Sequence, residues 1–147
     1  MSVLLLHLFL LSPFGLLEIP AGGIDGYENI FDALYREVKE ETGLTIVKVI
    51  DNYKGDILEN RPHDKSHVFQ PFICQQVLET NGGLPRIGFV FRCEVKGDIK
   101  MQKEEAKNPI WLTIPELKNV LYTRPETVFS LQYTTLKYYV EKIEKEL

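Results

Sequence analysis

The chain predicts an α+β domain. Strand-like segments lie before and after one central helical pattern, and a long amphipathic helical pattern comes last. The 147 residues run without internal repeat, low-complexity segment or linker, as one domain over 1–147. Strands on both sides of a helix favour α+β over a doubly wound α/β sheet. A chain of this length buries a proper core, so folding requires neither a disulfide framework nor a structural metal.

The opening stretch, MSVLLLHLFLLSPFGLLEIPAGG, is strongly apolar. A secretory signal brings a positive n-region and a small-residue cleavage site, and neither is present. The apolar run from Val3 to Leu11 is too short to span a bilayer. It reads as a buried strand, with SPFG the turn into a second strand, LLEIP; a signal peptide is the alternative. The glycine-rich AGGIDG follows as a loop. From about Glu28 to Glu41 the pattern is helical, with Ile30, Leu34 and Val38 at i, i+4 and i+8 as the core stripe. LTIVKVID is β-branched and alternating, hence a strand. NYKGDILENRPHDKSH is polar and turn-rich, a loop or an irregular hairpin. VFQPFICQQVLE and RIGFVFRCEVKG read as two strands joined by a hairpin connection, TNGGLP. PIWLTI is a short strand, anchored by Ile110 and the Trp111 indole. PELKNVL is a short helix opened by Pro115, and PETVFSLQYTTLKYYVEKIEKEL is one long amphipathic helix.

Composition excludes several partners. The content of 44% hydrophobic and 26% charged residues is that of an ordinary soluble domain. A net charge of −4, with Lys and Arg scattered, offers nothing to attract a nucleic acid, and no segment suits a membrane. Cys74 and Cys93 lie in apolar stretches without CxxC spacing, and read as reduced core cysteines of a cytoplasmic protein.

REVKEETGL holds the chemistry. As a helix it places Glu37, Glu40 and Glu41 at i, i+3 and i+4, on one face. Like charges at that spacing cost roughly 0.2–0.5 kcal/mol per pair in an isolated helix. Gly43 reads as the helix stop, so the macrodipole adds about 0.3–1 kcal/mol per group. With the upstream residues the pattern is Gly22, five residues, Glu28, seven residues, then Arg36-Glu37-Val38-x-Glu40-Glu41-x-Gly43-Leu44. Every specified position of the Nudix box is filled, and a chance match in a chain of this length is about one in a million or rarer. The chain resembles a Nudix hydrolase.

That resemblance implies an α/β/α sandwich with a central mixed sheet. It also implies hydrolysis of a diphosphate linkage in a nucleoside diphosphate joined to another group, with a divalent metal. The residues agree physically. Mg²⁺, with Mn²⁺ as its substitute, takes oxygen ligands and prefers sites shared with substrate phosphates. Three carboxylates on one helical face repel when empty and bind when a cation is present. A solvated acidic face is the alternative reading.

Carried over by position, Glu37, Glu40 and Glu41 match the metal-binding acids, with the Ala21 carbonyl as a backbone ligand. Glu37 and Glu40 also count, with Arg36, among the catalytic residues. Arg36 matches the arginine that holds one of the carboxylates, and Glu28 the acid behind the metal ligands. Gly22 and Gly23 form the loop whose backbone approaches the metal, where the missing side chain matters. Gly43 permits the turn into the next strand. The general base is either a box glutamate or an acid of a later loop, where Glu104 and Glu105 stand, Glu105 being preferred.

LEIPAGG, with Pro20-Ala21-Gly22 ahead of the box, resembles the loop of ADP-ribose and ADP-sugar pyrophosphatases. Those enzymes carry a proline after the box, and the nearest here is Pro62. The expected substrate is thus a small nucleotide such as ADP-ribose or an ADP-sugar. The alternatives are a nucleoside triphosphate pyrophosphatase that cleans the nucleotide pool, and a nucleotide-sensing module without turnover. Tyr53, Phe69, Phe72 and Phe89 are candidates to stack on a base, with core packing as the competing reading. His63 and His67 flank a loop that reaches toward phosphate or is simply solvated. The box begins early, and His7 stands where the family often has a basic residue. A sheet trimmed at that edge invites pairing with a second copy, hence a homodimer.

Overall fold

The computed structural model describes residues 4–5, 8–11, 15–50, 55–100 and 108–146. Tyr53, Glu104 and Glu105 lie outside the described residues. The first apolar stretch forms β1 (Leu4–Leu5) and β2 (Leu8–Leu11), and LLEIP contributes β3 (Leu17–Glu18), antiparallel to β2. The box helix is α1 (Ile30–Thr42), followed by β4 (Thr45–Ile50). The polar stretch is the irregular hairpin, β5 (Ile57–Arg61) and β6 (Asp64–His67). Its register shifts between Glu59 and Arg61, and His63 sits in its turn at φ +69°. The next hairpin pairs β7 (Ile73–Val77) with β8 (Arg86–Val90). Then come β9 (Arg92–Lys96), β10 (Asn108–Trp111), α2 (Ile114–Thr123) and α3 (Ser130–Glu146).

Among the described residues the strands do not form one continuous sheet. β1–β9–β4 is mixed, with β1 parallel and β4 antiparallel to β9, while β10–β2–β3 is wholly antiparallel. RIGFVFRCEVKG, expected as one strand, is two. The chain changes sheets at Phe91, because Val90 and Phe91 point to opposite sides and both are fully buried. Val90 enters a core with Leu17, Ile19, Leu117, Leu121, Leu136 and Tyr139, lined by α2 and α3. Phe91 enters a second core with Ile30, Phe31, Leu34, Val38, Val49 and Cys93, under α1. The stripe Ile30, Leu34 and Val38 is buried as its spacing requires.

Other sequence expectations are corrected. The last helix does not begin at Pro125. Residues Pro125–Thr127 form a single 3₁₀ turn, and Val128 bridges to Leu17 before α3 starts. The Phe129 amide donates to the Leu17 carbonyl at 2.8 Å, so this segment serves a sheet edge and cannot continue a helix. Cys93 is a buried thiol, but Cys74 is exposed, since it lies on the outward face of β7. Trp111 is half exposed, and the contact that ties β10 to the core is Ile110 alone of that pair. Phe69 and Phe89 pack on the second core and Phe72 on the first, as core aromatics.

Candidate active site

The site forms where the glycine loop meets α1, and both ends of that helix are fixed by its own sequence. The Asn29 side chain accepts from the amides of Phe31 (2.8 Å) and Asp32 (3.1 Å), satisfying two of the donors a helix start leaves open. At the far end Gly43 takes φ +77° and donates to the Lys39 carbonyl at 2.9 Å. A Cβ on Gly43 would also lie 2.9 Å from Lys100, so both conformation and space ask for glycine. Helix α1 therefore starts two residues after Glu28, and Glu28 belongs to the loop.

Arg36 is the centre of the arrangement. Its Nε and Nη2 donate to the two oxygens of Glu28, each at 2.9 Å, in a bidentate fork. Nη2 also donates to the Gly23 carbonyl at 2.9 Å and lies 3.4 Å from Asp25. Nη1 donates to Glu37 at 2.9 Å and to Glu40 at 3.2 Å. One cation thereby holds acids from the loop and from two turns of the helix. Hydrogen bonding from Arg36 holds the Glu28 carboxyl below the usual carboxylate range, against a smaller opposing effect of desolvation. The same contacts, Glu28 first and Glu37 next, push the guanidinium further up, so it stays charged at any working pH.

Gly22 is required by contact. A Cβ built there would overlap the carboxyl group of Glu37. Next to it the Ala21 amide donates to Glu41 Oε2 at 3.2 Å. The structure thus brings Ala21, Gly22, Gly23, Glu28, Arg36, Glu37, Glu40 and Glu41 into one neighbourhood. As they stand, no three acidic, imidazole or thiol groups among the described residues are gathered as a ready-made cation cage. Glu37 and Glu40 turn to Arg36, and Glu41 to the Ala21 amide. The donor set nevertheless fits a hard divalent cation, with carboxylate oxygens on adjacent turns facing backbone that Gly22 leaves bare.

An open cleft of about 390 Å³ adjoins this loop, walled by Gly22, Gly23, the inner face of β7–β8 and the start of α3. A wider groove of about 830 Å³ is lined by Glu28, Asn29 and Asp32 and by the β5–β6 hairpin. His63 and His67 both line that groove, with Lys65 between them. His67 also packs its ring on Phe31 and Phe69, so it is part of the helix's support as well as the groove wall. The sequence gave no notice of Asp25 or of the first cleft's side chains, Gln75, Arg86 and Gln132. Asp25 was legible only as a loop residue near the box, and nothing in the strand pattern marks Arg86.

Comparison with known proteins agrees with this geometry. The NUDIX domain family model matches residues 2–131. The RNA pyrophosphohydrolase of Helicobacter pylori (strain P12) is 36% identical over 58 residues, covering 40% of this chain and 37% of that protein. The chain thus spans little more than a third of that relative's length. Among solved structures, the MutT protein from Methanosarcina mazei Go1 aligns with a TM-score of 0.62 at 20% identity, covering 98% of this chain and 92% of that one. An Ap4A hydrolase binary complex from C. elegans aligns with a TM-score of 0.57 at 15% identity, covering 99% of each. These structural likenesses speak to the fold. With the box complete, its arginine joined to the acids around it, and the family match running over most of the sequence, the chain belongs to the Nudix family.

Proposed function

We propose that this protein is a hydrolase of phosphoric anhydride bonds that cleaves the diphosphate linkage of a small nucleotide with the help of Mg²⁺ or Mn²⁺. The observation that carries the reading is the bare backbone of Gly22 against the Glu37 carboxyl, beside carboxylates that Arg36 holds in place. Glu37, Glu40, Glu41 and the Ala21 carbonyl would hold the cation. When bound, such an ion draws charge off phosphate oxygens and acidifies a water for attack on phosphorus. Arg36 and Glu28 position the ligands, and the Gly22–Gly23 backbone leaves room for the phosphates. The matched segment of the RNA pyrophosphohydrolase supports the reaction class. The cleft lined by Gly22 and Gly23 and the groove lined by Glu28 support a substrate with a group on either side of the phosphates, a nucleoside diphosphate derivative of the class to which ADP-ribose and the ADP-sugars belong. A cytoplasmic, single-domain protein, paired as a homodimer along a sheet edge, completes the proposal.

The test is a panel of nucleoside diphosphate derivatives and triphosphates, with phosphate release after phosphatase coupling as the readout. Turnover that requires Mg²⁺ or Mn²⁺ and falls by orders of magnitude in Glu41→Gln is expected. Absence of turnover on the whole panel with either metal would overturn the enzyme in favour of a sensing module. Preference for triphosphates would favour the nucleotide-pool alternative. Glu105 is proposed as the general base. Glu105→Gln should lose most of the turnover, while Glu104→Gln keeps it, across a pH series; the reverse result moves the role to Glu104, and no loss in either moves it to the helix.

A further inference from the structure

The cleft beside the glycine loop holds a selective set of hydrogen-bonding groups. On β7–β8 the register places Arg86 opposite Val77 and Gly88 opposite Gln75, so these residues share the inward face. Two glutamines reach the cleft, and each amide is held in place by one donated and one accepted hydrogen bond. Gln75 Nε2 donates to the Leu131 carbonyl at 2.7 Å, and its Oε1 accepts from the Thr135 hydroxyl at 2.7 Å. Gln132 Oε1 accepts from the Ile19 amide at 2.8 Å, and its Nε2 donates to the Ile19 carbonyl at 3.3 Å. Arg86 is the charged side chain on the wall, and among the described residues it makes no ion pair. The same wall carries the apolar side chains of Val77, Ile87, Phe129 and Leu131.

From this we infer that the cleft takes the base of the substrate and that Arg86 selects guanine over adenine. An open cleft of about 390 Å³ with both apolar and polar groups on its wall has room for a ring system as well as for its polar edge. The charged group on the wall is a guanidinium, which only donates. Guanine presents two adjacent acceptors, O6 and N7, that a guanidinium engages bidentately. Adenine presents an acceptor beside a donor, a pattern that a guanidinium, which only donates, cannot match at both positions. Arg86 is thus a specificity-determining residue. The inference rests on the hydrolase reading for the presence of a nucleotide, and it departs from the adenine compounds that LEIPAGG suggests.

Equilibrium binding separates the two. Affinities of the full chain for GDP and ADP are measured by calorimetry in Mg²⁺, with wild type, Arg86→Gln and Arg86→Lys. Wild type should prefer GDP by about ten- to hundredfold, the size of one bidentate base contact. Arg86→Gln should remove or reverse that preference, and Arg86→Lys should keep a weaker one. Equal affinity in wild type, binding of neither nucleotide, or an Arg86→Gln variant that weakens both equally overturns the inference, the last by making Arg86 a phosphate contact. Selective GDP binding without turnover on the nucleotide panel supports it while removing the enzyme.

Discussion

Single atoms decide the site. The Cβ of Gly22→Ala would fall on the Glu37 carboxyl, the flexible end of a long side chain, so the helix should survive while Glu37 is displaced. Turnover should drop at least tenfold with an unfolding midpoint close to wild type, measured by steady-state kinetics and denaturation. The pair Glu28–Arg36 sets an acid limit. Because Arg36 lowers the Glu28 pKa in the folded state, the pair's stabilisation is present above the ordinary carboxylate value of 4.5 and fades as pH falls through the lowered one. Glu28→Gln should therefore flatten the loss of stability below about pH 4.5, in urea titrations across pH, relative to wild type. The sequence disclosed the acids and Arg36, because charge spacing on a helix is periodic. It could not disclose that one guanidinium joins Asp25, Glu28, Glu37 and Glu40, since that depends on how the loop returns over the helix.

At the scale of elements, α1 carries the most. Asn29 is its N-cap, and Asn29→Ala should cost about 1 kcal/mol in chemical denaturation, with the second-core residues Ile30 and Phe31 directly behind it. Helix periodicity and glycine punctuation made α1 and its stop readable to within two residues. Strands were legible as strands and less so as partners. Nothing in RIGFVFRCEVKG announces the break at Phe91, because two consecutive buried residues look alike whether they face one core or two. The 3₁₀ turn at Pro125–Thr127 was hidden for a similar reason. PETVF suits a helix start locally, and the pairing of Val128 with Leu17 prevails over that preference. Cys74 shows the same limit. An apolar neighbourhood in sequence does not say which side of a strand meets solvent.

Over the whole molecule, the proposed cation site on the acids of α1 would link metal binding to folding. Millimolar Mg²⁺ should raise the midpoint of thermal unfolding by mass action, about 2.7 kcal/mol at a hundredfold excess over the dissociation constant. For a chain of this size that is a shift of about 5–10 °C. Glu41→Gln should keep the metal-free midpoint and lose most of the shift, read by scanning calorimetry; an unchanged wild-type midpoint would count against the cation site. The family and fold were readable because the box is local and complete, whereas the two cores were not. Their separation has a consequence for how such a protein diversifies. The carboxylate helix rests on the core of Leu34, Val38 and Phe91, while the inner face of β7–β8 and the start of α3 rest on the core of Val90 and Leu136. Away from the junction of β8 and β9, where Phe89, Val90 and Phe91 bring the two cores together, the two sets of buried residues differ, and stability changes at sites without a shared partner add rather than compound. A lineage can therefore try new residues along the cleft walled by β7–β8, one or two at a time, without loosening the helix that carries the box glutamates.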